Sequence, residues 1–149
     1  RYPRGAQRAI PESIKPTFAD FDVFGDENAE KAIITYGRTF SACAFAYEKL
    51  VNSGESVKLI KLNRIIPVCE GAVEAAKDCR DVYFFEEGIR RGGAGEGFLF
   101  DLSKAGFSGK YHLKAIENGF VKQASVESLL HKYGFDEEGV LSFVTSAED

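Results

Sequence analysis

Lys31-Ala32-Ile33-Ile34-Thr35-Tyr36-Gly37 is the stretch on which the fold turns. The run is apolar and β-branched with little polar alternation, the pattern of a strand buried on both faces of a parallel sheet. Gly37 turns the chain. Behind it, Thr39–Val51 places Phe40, Cys43, Ala44, Tyr47, Leu50 and Val51 at helical spacing, with Glu48 and Lys49 between them. Asn52-Ser53-Gly54 stops that helix. Val57–Leu62 then sets Val57, Leu59 and Ile60 among lysines as a second strand.

The alternation continues towards the C-terminus. Pro67 opens a helix over Val68–Lys77, with Val68, Ala72, Val73 and Ala76 on one face. Asp81–Phe85 is a third, aromatic-rich strand. A glycine-rich turn, Gly88–Gly97, leads into a helix ending near Lys104, and Tyr111–Ile116 is a fourth strand. Ser125 caps a helix through Tyr133, and Asp136 caps a last one carrying Val140, Leu141, Phe143 and Val144. Strands separated by helices imply right-handed crossovers. The expectation is an α/β domain, three-layer α/β/α, around a mainly parallel five-stranded sheet. Its core should include Ile33, Ile34, Leu59, Val82, Phe84 and Leu113.

Upstream of Lys31 the chain differs in kind. Residues 1–30 hold Pro3, Pro11 and Pro16 and show no helical period. They read as a linker plus a short strand built on Phe18, Phe21, Val23 and Phe24, ended by the turn Gly25-Asp26-Glu27-Asn28. Residues 31–149 form the domain proper.

Composition bounds the function. The chain has 149 residues, 44% hydrophobic and 28% charged, enough for one core-bearing domain and too balanced for global disorder. A net charge of −4 gives no electrostatic footprint for nucleic acid or anionic lipid. No apolar run approaches the roughly 18–20 residues of a membrane span. The cysteines Cys43, Cys69 and Cys79 are odd in number and form no C-x-x-C pair, which fits a reducing cytoplasm and core packing for Cys43 and Cys69. Methionine is absent and the chain opens on Arg1, so the sequence reads as a piece of a longer protein.

The densest local feature is Glu86-Glu87-Gly88-Ile89-Arg90-Arg91-Gly92-Gly93-Ala94-Gly95-Glu96-Gly97. It lies between a strand and a helix, where open α/β sheets bind ligands. Gly93-Ala94-Gly95 starts a G-x-G-x-x-G fingerprint, but Phe98 stands at the third glycine and no Walker lysine follows. The glycines then serve a tight turn and close packing of the helix start. Glu86 and Glu87 point to opposite sides of a strand and make no acid–base pair. His112 and His131 have no partners at zinc spacing. No complete catalytic constellation is present. Arg1-Tyr2-Pro3-Arg4-Gly5 puts two guanidinium groups, the preferred phosphate clamp, around a rigid Tyr-Pro.

Three segments in order carry a resemblance: Arg1-Tyr2-Pro3-Arg4-Gly5, Ile33-Ile34-Thr35-Tyr36-Gly37, and Glu86-Glu87-Gly88 through Gly92-Gly93-Ala94-Gly95. With them the chain resembles, over essentially its whole length, the C-terminal part of the 1-deoxy-D-xylulose 5-phosphate synthases, thiamine-diphosphate enzymes of the transketolase family. The resemblance implies that Arg1–Gly5 is the end of a pyrimidine-binding domain, and that residues 1–30 are the linker from that preceding domain plus the short strand. It also implies that the full enzyme condenses pyruvate with glyceraldehyde 3-phosphate, feeding isoprenoid and thiamine synthesis. Thiamine diphosphate, magnesium and the cofactor-activating glutamate would belong to preceding domains, with no cofactor in this chain. The expected partners are those preceding domains and a second copy of the enzyme. Arg4 occupies the place of the family's substrate-phosphate arginine. Ile116-Glu117-Asn118-Gly119-Phe120 replaces the family's Leu-Pro-Asp and aromatic pair. A paralogue with other substrates, or a 2-oxo-acid dehydrogenase beta subunit, therefore stays open. So does a small-molecule module built on the Gly92–Gly97 turn.

Overall fold

A computed structural model describes residues 9–89, 92–116 and 134–146. The Arg1–Gly5 motif with Arg4, the pair Arg90 and Arg91, the helix expected over Ser125–Tyr133, and His131 lie outside the described residues.

Among the described residues five strands build one sheet: β1 (Phe21–Phe24), β2 (Lys31–Thr35), β3 (Val57–Leu62), β4 (Asp81–Ile89) and β5 (Lys110–Ile116). Their spatial order is β1-β3-β2-β4-β5. The four strands β3, β2, β4 and β5 run parallel, while β1 pairs antiparallel with β3 at the edge. Ile33 sits opposite Leu59 on one side and Tyr83 on the other. Helices α1 (Thr39–Asn52), α2 (Glu70–Ala76), α3 (Ala94–Lys104) and α4 (Glu137–Ser146) cover the two faces. This is the expected three-layer α/β/α arrangement with a mainly parallel five-stranded sheet.

The period of two along each strand divides the core in two. Ile33, Leu59, Tyr83 and Phe85 face α1 and α4, where they meet Phe40, Cys43, Tyr47, Leu50, Val140 and Val144. Ile34, Ile60, Val82 and Phe84 face α2 and α3, against Ala72, Val73, Ala76, Phe98 and Leu102. Each fully buried side chain of this size contributes about 1.5–3 kcal/mol. Residues 40, 43, 44, 47 and 50 form the buried stripe of α1, and Gly54 ends that segment at φ +87°. Asp136 caps α4 as expected, its carboxylate accepting the Gly139 N–H at 2.9 Å.

Four expectations are corrected. Leu113 is only partly buried, because among the described residues β5 is an edge strand with a single neighbour. Phe18 lies outside β1 and is fully exposed, while Phe21 packs its ring against Gly71 of α2. Pro67 does not open α2; the helix begins at Glu70, and the carbonyl of Cys69 accepts the first amides from Ala72 and Val73. Strand β4 runs past Phe85 to Ile89, which pairs with Ile116 after a shift in register, so the glycine turn is shorter than the sequence suggests.

The lysines of β2 and β3 are also not simple solvent-facing spacers. Lys58 is buried and donates to the carbonyls of Glu27 and Ala75, both at 2.7 Å. Buried Lys31 pairs with Glu55 at 3.3 Å. Burying an ammonium is costly unless such acceptors are supplied.

Candidate functional site

The C-terminal ends of β2 and β4 bring together the residues singled out around Glu86. Glu86 is 0% exposed. Its Oε1 accepts the Gly95 N–H at 3.0 Å, and its Oε2 accepts the Ala94 N–H at 3.0 Å. The Tyr36 hydroxyl donates to the same Oε2 at 3.0 Å. The first amides of a helix have no intrahelical partner, and the helix dipole favours negative charge at that end. The N-terminus of α3, where a phosphate would bind in a nucleotide fold, is therefore already filled by this chain's own carboxylate.

The glycines make this contact possible. Gly92 turns the chain at φ +74°. At Gly95 a methyl group would run into Leu113, Glu86 and Phe84, so only glycine lets α3 approach β4 closely enough for Glu86 to reach two amides. Tyr111 of β5 adds a bond from its hydroxyl to the Gly95 carbonyl at 2.6 Å. Burial pushes the Tyr36 and Tyr111 hydroxyls well above the usual phenol range, and the Glu86 charge adds to it. Both tyrosines therefore act as neutral donors.

Glu87 points the other way, as the strand period requires. Its Oε2 accepts from Arg38 Nη2 at 2.7 Å, and its Oε1 is buried without a hydrogen-bond partner among the described residues. The two carboxylates thus form separate contacts. His112 stacks on Tyr83 with ring centroids 4.5 Å apart and bonds Asp81 Oδ1 at 3.0 Å. Burial alone would raise the Asp81 carboxyl, but bonds from His112 and Arg80 outweigh it and hold the group below its ordinary value. Gly25-Asp26-Glu27-Asn28 is a turn in which the Asp26 carboxylate accepts the Asn28 N–H at 2.8 Å. Among the described residues no three metal-ligating side chains converge. Sequence reasoning missed Tyr36, Arg38 and Tyr111; a tyrosine ending a buried strand just before a glycine was the available signal for Tyr36.

Residues 25–140 match the family model of the transketolase C-terminal domain. The chain belongs to that family. Several 1-deoxy-D-xylulose-5-phosphate synthases are similar to it. That of Bacteroides fragilis is 30% identical over 116 residues, covering 76% of this chain and 18% of its own length. That of Shouchella clausii is 25% identical over 149 residues, covering 98% of this chain and 24% of its own. The chain thus spans less than a quarter of the length of these synthases. Among solved structures, a split-gene transketolase described as an inactive beta4 tetramer superposes with a TM-score of 0.75 at 19% identity. The match covers 93% of this chain and 46% of that one, a likeness of fold. Among the described residues no helix is long and apolar enough to cross a membrane.

Proposed function

We propose that this transketolase C-terminal domain is the non-catalytic, structural and dimerising part of a cytoplasmic 1-deoxy-D-xylulose 5-phosphate synthase-like enzyme. In this reading the preceding domains hold thiamine diphosphate and magnesium and carry out the chemistry. Arg4, ahead of the domain, reaches the phosphate of the glyceraldehyde 3-phosphate acceptor. The observation that supports a structural role is Glu86. The crest of an open α/β sheet is where a ligand usually binds. Here that crest is closed by a buried carboxylate spent on two backbone amides and a tyrosine hydroxyl. Similarity to the synthases along nearly the whole chain supports the choice of parent enzyme.

Calorimetry of the 149-residue chain with thiamine diphosphate and magnesium, alongside a ketol-transfer assay from pyruvate and glyceraldehyde 3-phosphate, tests the reading. No binding and no turnover are expected from the chain alone. Stoichiometric, magnesium-dependent cofactor binding would overturn it.

A further inference from the structure

At the end of the sheet away from Glu86, a buried charge stands without a counter-ion. Lys58, the second residue of β3, is only 4% exposed. Its ammonium donates to two neutral acceptors, the carbonyls of Glu27 and Ala75, each at 2.7 Å. An ammonium carries three N–H bonds, so one donor is left over. Among the described residues no carboxylate pairs with it, whereas buried Lys31 has Glu55 at 3.3 Å. A buried charge is costly without such a partner. Lys58 lines a cavity of about 580 Å3 between α2 and the β1–β2 turn, within the roughly 300–1,000 Å3 of small-molecule sites. Three exposed carboxylates line the same cavity: Glu27 from the turn, Glu74 from α2, and Asp78 from the segment after α2. Glu74 is engaged by Lys77 at 2.8 Å. Glu27 and Asp78 make no ion pair among the described residues. The cavity is therefore positive at its buried wall and negative at its exposed rim.

We infer that this cavity binds a small zwitterion, an α-amino acid whose carboxylate meets Lys58 and whose ammonium meets Glu27 and Asp78. The order of charges selects the class. A simple anion satisfies Lys58 but passes three carboxylates on the way in, and a doubly charged phosphate is repelled more strongly. A simple cation suits the rim and leaves Lys58 uncompensated. A molecule with both charges answers both ends. The contact to Lys58 is charge-assisted and shielded from solvent, while the rim contacts are exposed and screened, so Lys58 contributes the larger share. The cavity lies by the N-terminal ends of β2, β3 and β4, apart from the crest that Glu86 closes. The inference is thus independent of the parent enzyme proposed above.

NMR titration of the 15N-labelled 149-residue chain with L-alanine, acetate or methylammonium provides the test. A ligand this small binds with a Kd of about 1 mM, so each probe is taken to about 10 mM. L-Alanine should shift the backbone amides of Ala75, Asp78 and Cys79 saturably, and acetate and methylammonium should each bind about tenfold more weakly or worse. Lys58→Met keeps the apolar stem, removes the ammonium and should abolish the alanine shifts. Because that change also leaves two carbonyls without their donor, the double variant Glu27→Gln, Asp78→Asn, at exposed positions, gives a second reading. It should weaken alanine about fivefold, while acetate, relieved of repulsion at the rim, binds at least as well as to the parent. The inference is overturned by any of four results: no saturable alanine shift, acetate binding the parent as tightly as alanine, alanine shifts that survive in Lys58→Met, or a double variant that does not weaken alanine or weakens acetate with it.

Discussion

Gly95→Ala and Gly97→Ala, two substitutions in the same helix, should change stability in opposite directions. Alanine is favoured over glycine inside a helix by about 1 kcal/mol, and that gain applies at both positions. At Gly97 nothing opposes it, since the added methyl meets open space. At Gly95 the methyl would stand 2.9 Å from Glu86 Oε1 and 3.0 Å from Phe84 Cδ1, and closer still to Leu113 Cδ1. Leu113 is partly exposed and can swing away, but Phe84 and Glu86 are fully buried. Overpacking of this kind costs about 1–3 kcal/mol. Moving Glu86 also weakens its charge-assisted bonds to Ala94 and Gly95, each worth about 1.5–3 kcal/mol. Subtracting the helix gain leaves a net loss of about 2–4 kcal/mol. In a domain of this length that lowers Tm by about 5–15 °C. Circular dichroism melts, with urea titrations to check that m is unchanged, measure both variants at low concentration. If Gly95→Ala melts at or above the parent temperature, the close approach of α3 to β4 and the role of Glu86 are wrong.

Other outcomes follow from the same geometry. Asp81 is held below its unfolded value, so it contributes stability above about pH 4 that is lost as the pH falls through its lower folded value. Acid unfolding followed by fluorescence should show this loss, and Asp81→Asn should flatten it; a variant with an unchanged acid limb would refute the assignment. The Cys43 thiol is pushed up to about 12 by burial, against a smaller opposing bond to Thr35, so it should resist alkylating reagents until the domain unfolds. Mass spectrometry of the native protein after iodoacetamide would expose rapid labelling at Cys43 if this is mistaken. In a full-length enzyme, Arg4→Ala should lower kcat/KM for the phosphorylated acceptor about tenfold to a hundredfold, since a charge-assisted phosphate bond is worth roughly 1.5–3 kcal/mol. Pyruvate kinetics should change little, and an unaltered acceptor kcat/KM would remove Arg4 from the substrate site.

The fold was legible where a segment is buried by its own pattern. β2, α1 and β3 lie within a residue or so of their expected bounds, because Ile33, Ile34, Leu59 and the stripe from Phe40 to Leu50 state their burial locally. Legibility failed where the deciding partner is distant in sequence. Leu113 looks like core until the strand order places β5 at an edge. Glu86 looks like a surface or catalytic acid until Tyr36, fifty residues upstream, and the α3 amides close around it. The glycines of the Gly92–Gly97 turn announce a tight approach, but nothing local says that a carboxylate, rather than a ligand, fills the space. Phe18 fits a strand pattern with Phe21 and Phe24, yet the ladder with β3 begins only at Phe21, opposite Leu62.

That ladder has a consequence for how the protein is made. β1 is synthesised before the other strands of this sheet, and its partner β3 ends roughly 40 residues later, so at about 5–20 residues per second the strand waits several seconds for its mate. When β3 emerges it has β2 already available on one flank, and β1 must return to close the other before that open edge recruits a neighbouring nascent chain. Strand β1 therefore works as a latch: made ahead of the other four strands, it seals the outer edge of the sheet once β3 exists.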